Sequence, residues 1–110
     1  MAWTITYFTP AVEKFVLRLP DDLAASYTRL AEMMVDFGAN LGLPHTRAMG
    51  GGLFELRLSG SEGIARIFFC VRIGRRIVLL HGFIKKTQRT PQIELDRAKK
   101  LLAEATHHEA

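Results

Sequence analysis

The stretch 53–83 carries the pattern that most constrains the fold of this chain. In its first part, apolar residues alternate with Glu55 and Arg57, which is the period of two expected of a β-strand with one polar face. Strand-like segments follow at 64–72 and 77–83, each after a glycine-containing turn. The last of these is almost wholly apolar, which predicts a central position in the sheet. Consecutive strands joined by tight turns predict antiparallel pairing.

Helix signals precede these strands. A short alternating stretch at 3–8 predicts a first strand, and the Thr-Pro pair at 9–10 is a helix start with threonine as the N-cap. A Leu-Pro step at 19–20 ends that helix, and either aspartate of the pair at 21–22 can cap the next, which ends near Gly38. The predicted apolar positions are Val12, Phe15, Val16 and Leu19 in the first helix, and Leu23, Tyr27, Leu30, Met34 and Phe37 in the second.

A last helix is predicted after a second Thr-Pro pair at 90–91, with fraying beyond Ala105. Residues 39–52 have no periodicity and are predicted to form a loop. The order strand, helix, helix, three strands, helix predicts a single α+β domain over residues 1–110. We expect a small antiparallel sheet, an N-terminal strand with a helical hairpin, and a C-terminal helix, with the helices packed on one face. The apolar side of the last helix consists of Leu95, Ala98, Leu102 and Ala105.

The single cysteine and the distribution of apolar residues bear on where the protein works. Cys70 has no second cysteine with which to pair, which fits a reducing cytoplasm. The start of the chain does not resemble a signal peptide. The longest apolar stretches, of four or five residues, are far shorter than a membrane span. These features predict a cytoplasmic protein without membrane contact.

Positive charge is concentrated on the predicted sheet. Residues 53–91 hold eight basic and two acidic residues, a net charge of +6, whereas 1–52 and 92–110 each carry −1. A concentrated positive field predicts a polyanionic partner, such as a nucleic acid. For any single one of these residues, the alternative is a solvated basic surface.

Signatures of nucleotide, metal and thiol sites are missing from the sequence. The glycines at 50–52 are followed by Leu53 and not by Lys-Ser or Lys-Thr, so they predict a turn into a strand, not a phosphate-binding loop. The four histidines have no metal-ligand spacing, and one cysteine cannot build a zinc site. Cys70 is interpreted as a small buried residue. No metal or cofactor is therefore predicted.

The basic residues of the strands form the candidate site. Arg57 and Arg66 occupy the polar faces of adjacent strands, so we expect them to lie side by side. Lys85 and Lys86 follow the end of the third strand. Such cations can bind a scissile phosphate and offset the charge that builds on its oxygens. Crowded cations also lower one another's pKa, which favours proton transfer.

The runs LFELRL, ARIFFCV and IVLLHGFIKKTQRTP, followed by an amphipathic helix with Ala-Lys-Lys, resemble the RelE/HigB superfamily of type II toxins. The resemblance is strongest to the phage-derived branch and covers residues 53–102. It implies a RelE-like toxin fold and a metal-independent endoribonuclease that cleaves ribosome-bound mRNA, with the RNA 2′-hydroxyl as nucleophile. It also implies a cognate antitoxin with a helix-turn-helix domain, and no cofactor.

The same resemblance assigns site residues. The family's catalytic basic site falls on Arg57, Arg66, Lys85 and Lys86. The residues predicted to bind RNA are Arg75, Arg76, His81, Gln88 and Arg89. Some relatives place a catalytic Tyr or His near their last strand or helix, whereas here no tyrosine follows Tyr27. Phe83 or His81 could replace that residue.

Two other functions are compatible with the sequence. A toxin of the same fold can inhibit a protein, as the ParE-like gyrase poisons are thought to do, and an inactive phage-derived binding module can keep the fold without the chemistry. Fold alone does not separate these functions. The basic set at Arg57, Arg66, Lys85 and Lys86 favours the endonuclease, because a gyrase inhibitor should tolerate the loss of these groups.

Overall fold

A computed structural model describes residues 2–61, 63–85 and 89–108. Within these residues the chain forms five strands and three helices, and the predicted α+β class is confirmed. None of the helices in this part of the chain is both long enough and apolar enough to cross a membrane. In chain order the elements are β1 (Thr4–Tyr7), α1 (Pro10–Leu17), α2 (Asp21–Phe37), β2 (Thr46–Gly50), β3 (Leu53–Gly60), β4 (Gly63–Arg72), β5 (Arg76–Lys85) and α3 (Gln92–His108).

The strands form one mixed sheet in the order β1-β5-β4-β3-β2. β1 runs parallel to β5, and the other neighbours pair antiparallel. The predicted antiparallel pairing of β3, β4 and β5 is confirmed. The apolar strand β5 is interior, but the middle position belongs to β4, because β2 adds a strand on the far side of β3.

Helices cover both faces of the sheet. The helices α1 and α2 pack on one face, where Phe69 and Leu79 are fully buried as predicted. α3 packs on the opposite face, where Ala98 lies in a cluster with Phe68 and Val78. The expectation that all helices share one face is therefore wrong. β4 and β5 carry apolar residues on both faces, so each face needs a cover.

The helix starts agree only in part with the sequence signals. The Thr9 hydroxyl accepts a hydrogen bond from the Val12 N–H at 3.3 Å, so the predicted N-cap of α1 is confirmed. Pro20 occupies the N-cap position of α2, which has no side-chain cap, so the predicted aspartate cap is wrong. Asp22 lies in the first helical turn and accepts a hydrogen bond from Ser61 Oγ at 2.9 Å. It thus links α2 to the β3–β4 turn.

β2 forms inside the segment predicted to be a loop. It is a short edge strand whose register against β3 shifts between Ala48 and Gly50, so its sequence shows no regular alternation. Gly50, Gly51 and Gly52 have φ values of 93°, 64° and 90°. Residues with a Cβ rarely adopt such values, which explains why the turn from β2 to β3 is made of glycine.

Two predictions at helix ends fail. Phe37, the last residue of α2, is 78% exposed, because the apolar side of this helix ends at the buried Met34. α3 continues past Ala105 to His108, so the helix is longer than predicted. The Thr106 hydroxyl donates to the Leu102 carbonyl at 2.8 Å in this last turn.

Candidate functional site

Arg57 and Arg66 lie directly opposite each other on β3 and β4, as predicted. The Arg57 N–H donates to the His45 carbonyl at 2.9 Å, on the side away from β4, so the two arginines form a non-hydrogen-bonded pair of the ladder. The Cα atoms of such pairs are about 4.5 Å apart, closer than in hydrogen-bonded pairs. Like charges placed this way repel each other, so the arrangement needs a compensating negative charge.

Glu55 supplies that negative charge. It lies on the same face of β3 as Arg57 and is 1% exposed. Arg57 Nη1 donates to Glu55 Oε1 at 2.9 Å, and Arg66 Nε lies 3.7 Å from the same oxygen. The buried carboxylate therefore fixes the Arg57 guanidinium by a hydrogen bond and offsets the charge of Arg66 at a longer distance. Glu55 was not among the predicted site residues, although it lies on the polar face beside Arg57.

Arg66 is largely enclosed, with an exposure of 5%. Its Nη1 donates to the Ala65 carbonyl at 3.0 Å, and its Nε has no hydrogen-bond partner among the described residues. Burial, followed by the charge of Arg57, lowers the pKa of Arg66 below its ordinary value, while Glu55 opposes the shift. A buried donor without a partner reduces stability unless a ligand atom satisfies it.

Lys85 extends this group at the end of β5. It pairs with Ile64 of β4, two residues from Arg66, and so lies on the same face of the sheet. Partial burial and the charge of Arg66 lower the pKa of Lys85 below its ordinary value. Arg57 contributes in the same direction, while Glu55 opposes it. The Lys85 ammonium therefore gives up its proton more readily than that of a solvated lysine.

Arg47 is a further cation on this face that was not predicted from the sequence. It pairs with Glu55 across β2 and β3, is exposed, and also helps to lower the pKa of Lys85. It lies in the segment predicted to be a loop, so no pattern placed it on the sheet. We refer to Arg47, Arg57, Arg66 and Lys85 as the basic cluster.

A shallow hollow of about 230 Å³ opens beside Arg57 and Arg66. Its lining consists of Pro44, Arg57, Ser59, Ile64 and Arg66. Pockets that enclose small-molecule ligands are larger, at about 300–1,000 Å³. The hollow therefore suits a single group, such as one phosphate of a longer chain that continues across the surface.

His81 lies on the same face of the sheet as the basic cluster and is linked to α3. Leu80 and His81 lie at a β-bulge opposite Phe68, and such a bulge redirects the strand's side chains. His81 Nε2 lies 2.7 Å from Glu94 Oε1, and Arg97 Nη1 lies 3.8 Å from the same oxygen. The imidazole therefore links the sheet to the first turns of α3.

Phe83 is not available to stack on an RNA base. It is 6% exposed, and its ring centroid lies 5.9 Å from that of Phe68 and 6.4 Å from that of His81. The suggestion that Phe83 could replace the catalytic aromatic residue of some relatives is therefore wrong. His81 keeps 19% of its side chain exposed, so it is the accessible member of this pair.

Arg75 and Arg76 lie far from the basic cluster. Arg75 is in the β4–β5 turn with a positive φ of 57°, and Arg76 begins β5. Lys85 ends the same strand, about 30 Å away at ~3.3 Å per residue. The structure therefore places these two predicted RNA-binding residues at the opposite end of the sheet.

The remaining residues singled out from the sequence are Lys86, Gln88, Arg89 and Cys70. Arg89 is exposed between β5 and α3, whereas Lys86 and Gln88 lie outside the described residues. Cys70 is 2% exposed, as predicted, and burial raises the pKa of its thiol. In the described part of the chain, no three His, Cys, Asp or Glu side chains lie close enough to hold a metal ion together.

The five-stranded sheet of the described residues, with its covering helices, is compatible with a small toxin fold. Residues 14–103 match the sequence model of the family described as Phage derived protein Gp49-like (DUF891). The chain therefore belongs to this phage-derived, toxin-like family, which is part of the RelE/ParE-like toxin superfamily. No curated protein matches the chain. The matched range includes the whole basic cluster, all of α2, and parts of α1 and α3.

Proposed function

We propose that this protein is the toxin of a type II toxin–antitoxin system, of the HigB-like branch, and that it cleaves mRNA on the ribosome through the RNA 2′-hydroxyl. The observation that carries the proposal is the basic cluster: Arg57 and Arg66 flank the buried Glu55 carboxylate and line a hollow of phosphate size, and Lys85 lies on the same face of the sheet. Family membership supports the toxin role. The clustered positive charge supports a polyanionic substrate.

RNA supplies the nucleophile for this reaction. The 2′-oxygen attacks the adjacent phosphorus, the bond from phosphorus to the 5′-oxygen of the next nucleotide breaks, and a 2′,3′-cyclic phosphate remains. The 2′-hydroxyl proton passes to solvent water, and the departing 5′-oxygen takes up a proton. Because negative charge grows on the non-bridging oxygens, positioned cations stabilise the transition state more than the ground state.

Arg57, Arg66 and Lys85 each have a role in this scheme. Arg57 borders the hollow with 28% of its side chain exposed, and its fork of donors can bind two phosphate oxygens. Arg66 also lines the hollow, and its guanidinium, whose Nε has no hydrogen-bond partner among the described residues, can donate to a phosphate oxygen there. Lys85 donates the proton to the 5′-oxygen, since its lowered pKa makes it a better acid than an ordinary lysine.

The proposal includes the partners that such a toxin needs. These are the ribosome with its mRNA, and a cognate antitoxin with a helix-turn-helix domain, all in the cytoplasm. The free protein should arrest growth when expressed alone, and co-expression of the antitoxin should relieve the arrest.

Primer extension on ribosome-associated mRNA after induction tests the proposal. Wild-type protein should produce new 5′ ends within coding regions, and Lys85→Ala should not. Lys99→Ala is the matched control, because Lys99 is exposed on α3 and outside the basic cluster. A toxin that inhibits a protein, or an inactive binding module, would produce no such ends at all.

A further inference from the structure

The second half of β5 has an unpaired edge. β1 pairs with β5 only at 76–79, and the last bond between them runs from the Phe8 N–H to the Leu79 carbonyl at 2.9 Å. From 80 to 85, no described strand pairs with β5 on that side. An unpaired edge of an interior strand is a template to which another strand can add.

The register identifies the backbone groups that this edge presents. The Arg57 N–H points away from β4, so Arg66 opposite it points its own backbone groups toward β5, where its partner is Phe83. Arg66 and Phe83 therefore exchange hydrogen bonds, and the neighbours of Phe83 point the other way. The N–H and C=O groups of Gly82 and Ile84 consequently face the open edge.

Two adjoining hollows make room along this edge. One, of about 370 Å³, includes Leu80, Gly82 and the α3 residue Leu101 in its lining, and the other, of about 610 Å³, includes Ile84. Both share Ala11 and Phe15 of α1, so they form one groove, mostly apolar, between α1 and the edge. Gly82 is needed here, since a Cβ on it would collide with the Phe15 ring.

The rim of the groove is positively charged. Lys14 on α1 and Arg18, which caps the C-terminus of α1, line the larger hollow and are exposed one turn apart. Like charges at this spacing weaken a helix slightly, and neither forms an ion pair with a described residue. An acidic occupant would remove this repulsion. A second copy of the chain, joined edge to edge by a two-fold axis, would place the same basic pair opposite itself.

We propose that the open edge of β5 at 80–85, together with α1, is a docking site for an extended acidic segment of a partner protein, which adds to the sheet as a strand. Main-chain hydrogen bonds to Gly82 and Ile84 would provide affinity, and alternate side chains would enter the apolar groove. Acidic side chains of the segment would meet Lys14 and Arg18 at the rim. The proposal does not depend on the RNA chemistry, and the occupant would lie along the strand that carries Lys85.

Amide hydrogen exchange of the protein, measured with and without a synthetic peptide, tests this site. The probe is an acetylated and amidated peptide of alternating glutamate and valine, and its lysine–valine counterpart is the control. In the free protein, the Gly82 and Ile84 amides should exchange faster than that of Phe83. The acidic peptide should slow exchange at Gly82 and Ile84, whereas the basic peptide should not.

Reversing the charges of Lys14 and Arg18 tests whether these residues form the rim of the docking site. Lys14→Glu with Arg18→Glu should weaken the acidic peptide about tenfold and favour the basic one, since rim charges select partners by sign. Lys99→Glu with Lys100→Glu, on α3, removes the same charge and should leave both affinities unchanged. Unaltered exchange at Gly82 and Ile84 with saturating acidic peptide, or equal weakening by both double variants, would overturn the proposal. A concentration-dependent dimer that protects these amides would assign the edge to a second copy instead.

Discussion

Glu55 Oε1 accepts a hydrogen bond from Arg57 Nη1 at 2.9 Å, and the Glu55 side chain is only 2% exposed. This carboxylate lies among cations that would otherwise repel one another across adjacent strands. The charge of Glu55 therefore helps to hold the basic cluster together. Its removal should reduce the stability of the fold and change the positions of the neighbouring arginine side chains.

Glu55→Gln should lower the free energy of unfolding by about 3 kcal/mol, because loss of one partner leaves buried charge uncompensated. Urea denaturation measures the change. Glu32→Gln is the matched control, since Glu32 is exposed on α2 and surface charges contribute little. Equal stability of the two variants would show that Glu55 does not compensate the arginines.

The pKa of Lys85 should respond to its neighbours in opposite directions. NMR titration of Lys85 Nζ should give a pKa below the ordinary value of 10.5. Arg66→Met should raise this pKa, because it removes a positive neighbour, and Glu55→Gln should lower it further. RNA affinity should fall as pH rises through this value, since the ammonium charge is lost there.

The lowered pKa of Lys85 makes the stability of the protein depend on pH. Because folding lowers the pKa of Lys85, the folded state disfavours its charged form. The cost is fully present below the folded pKa and disappears as pH rises toward 10.5. Lys85→Gln should therefore gain stability relative to wild type at neutral pH and lose that gain above pH 10.5. A stability difference independent of pH would contradict the shift.

The core assignment is tested by Phe69→Ala and Leu79→Ala. Both side chains are fully buried against α1 and α2, so each variant should lose about 2–5 kcal/mol in unfolding free energy. Phe37→Ala is the matched control, because Phe37 is 78% exposed and its truncation should change stability little. Thermal midpoints that move equally in all three variants would be inconsistent with this packing.

The parts of the fold that the sequence predicts are those with regular periodicity. The alternation around Arg57 and Arg66 placed them side by side, and the Thr-Pro pair at 9–10 placed the start of α1. β2 escaped prediction because it is a short edge strand with an irregular register. The placement of α3 on the second face could not be read from its own sequence, since an apolar side does not indicate which face it covers.

The candidate site shows the same limit. The basic residues can be recognised in the sequence, but Arg47 is placed at the site only by the pairing of β2 with β3. Arg75 and Arg76 carry the same charge as the site residues and lie near them in the sequence, but they are at the other end of the sheet. Distance across a sheet depends on register, which the sequence expresses weakly in short strands.

Salt dependence should separate these two groups of cations. RNA affinity should fall steeply with salt, and each of Arg57→Ala and Lys85→Ala should reduce the slope of log affinity against log salt by about one. Arg75→Ala with Arg76→Ala should leave cleavage intact at low salt, because this turn is remote from the hollow. An affinity that is flat with salt would indicate a protein partner recognised by shape.

The most direct test of the proposed function is the cleavage rate of ribosome-bound mRNA by purified variants. Arg57→Ala, Arg66→Lys and Lys85→Ala should each cut about 10²–10³-fold more slowly, the usual cost of one lost transition-state donor. Arg66→Lys should stay impaired because an ammonium does not reproduce the guanidinium fork. Circular dichroism should show that the variants are folded, and Lys99→Ala should cut at the wild-type rate. If all the cluster variants fold and also cut at the wild-type rate, the basic cluster is a solvated surface and the endonuclease proposal is wrong.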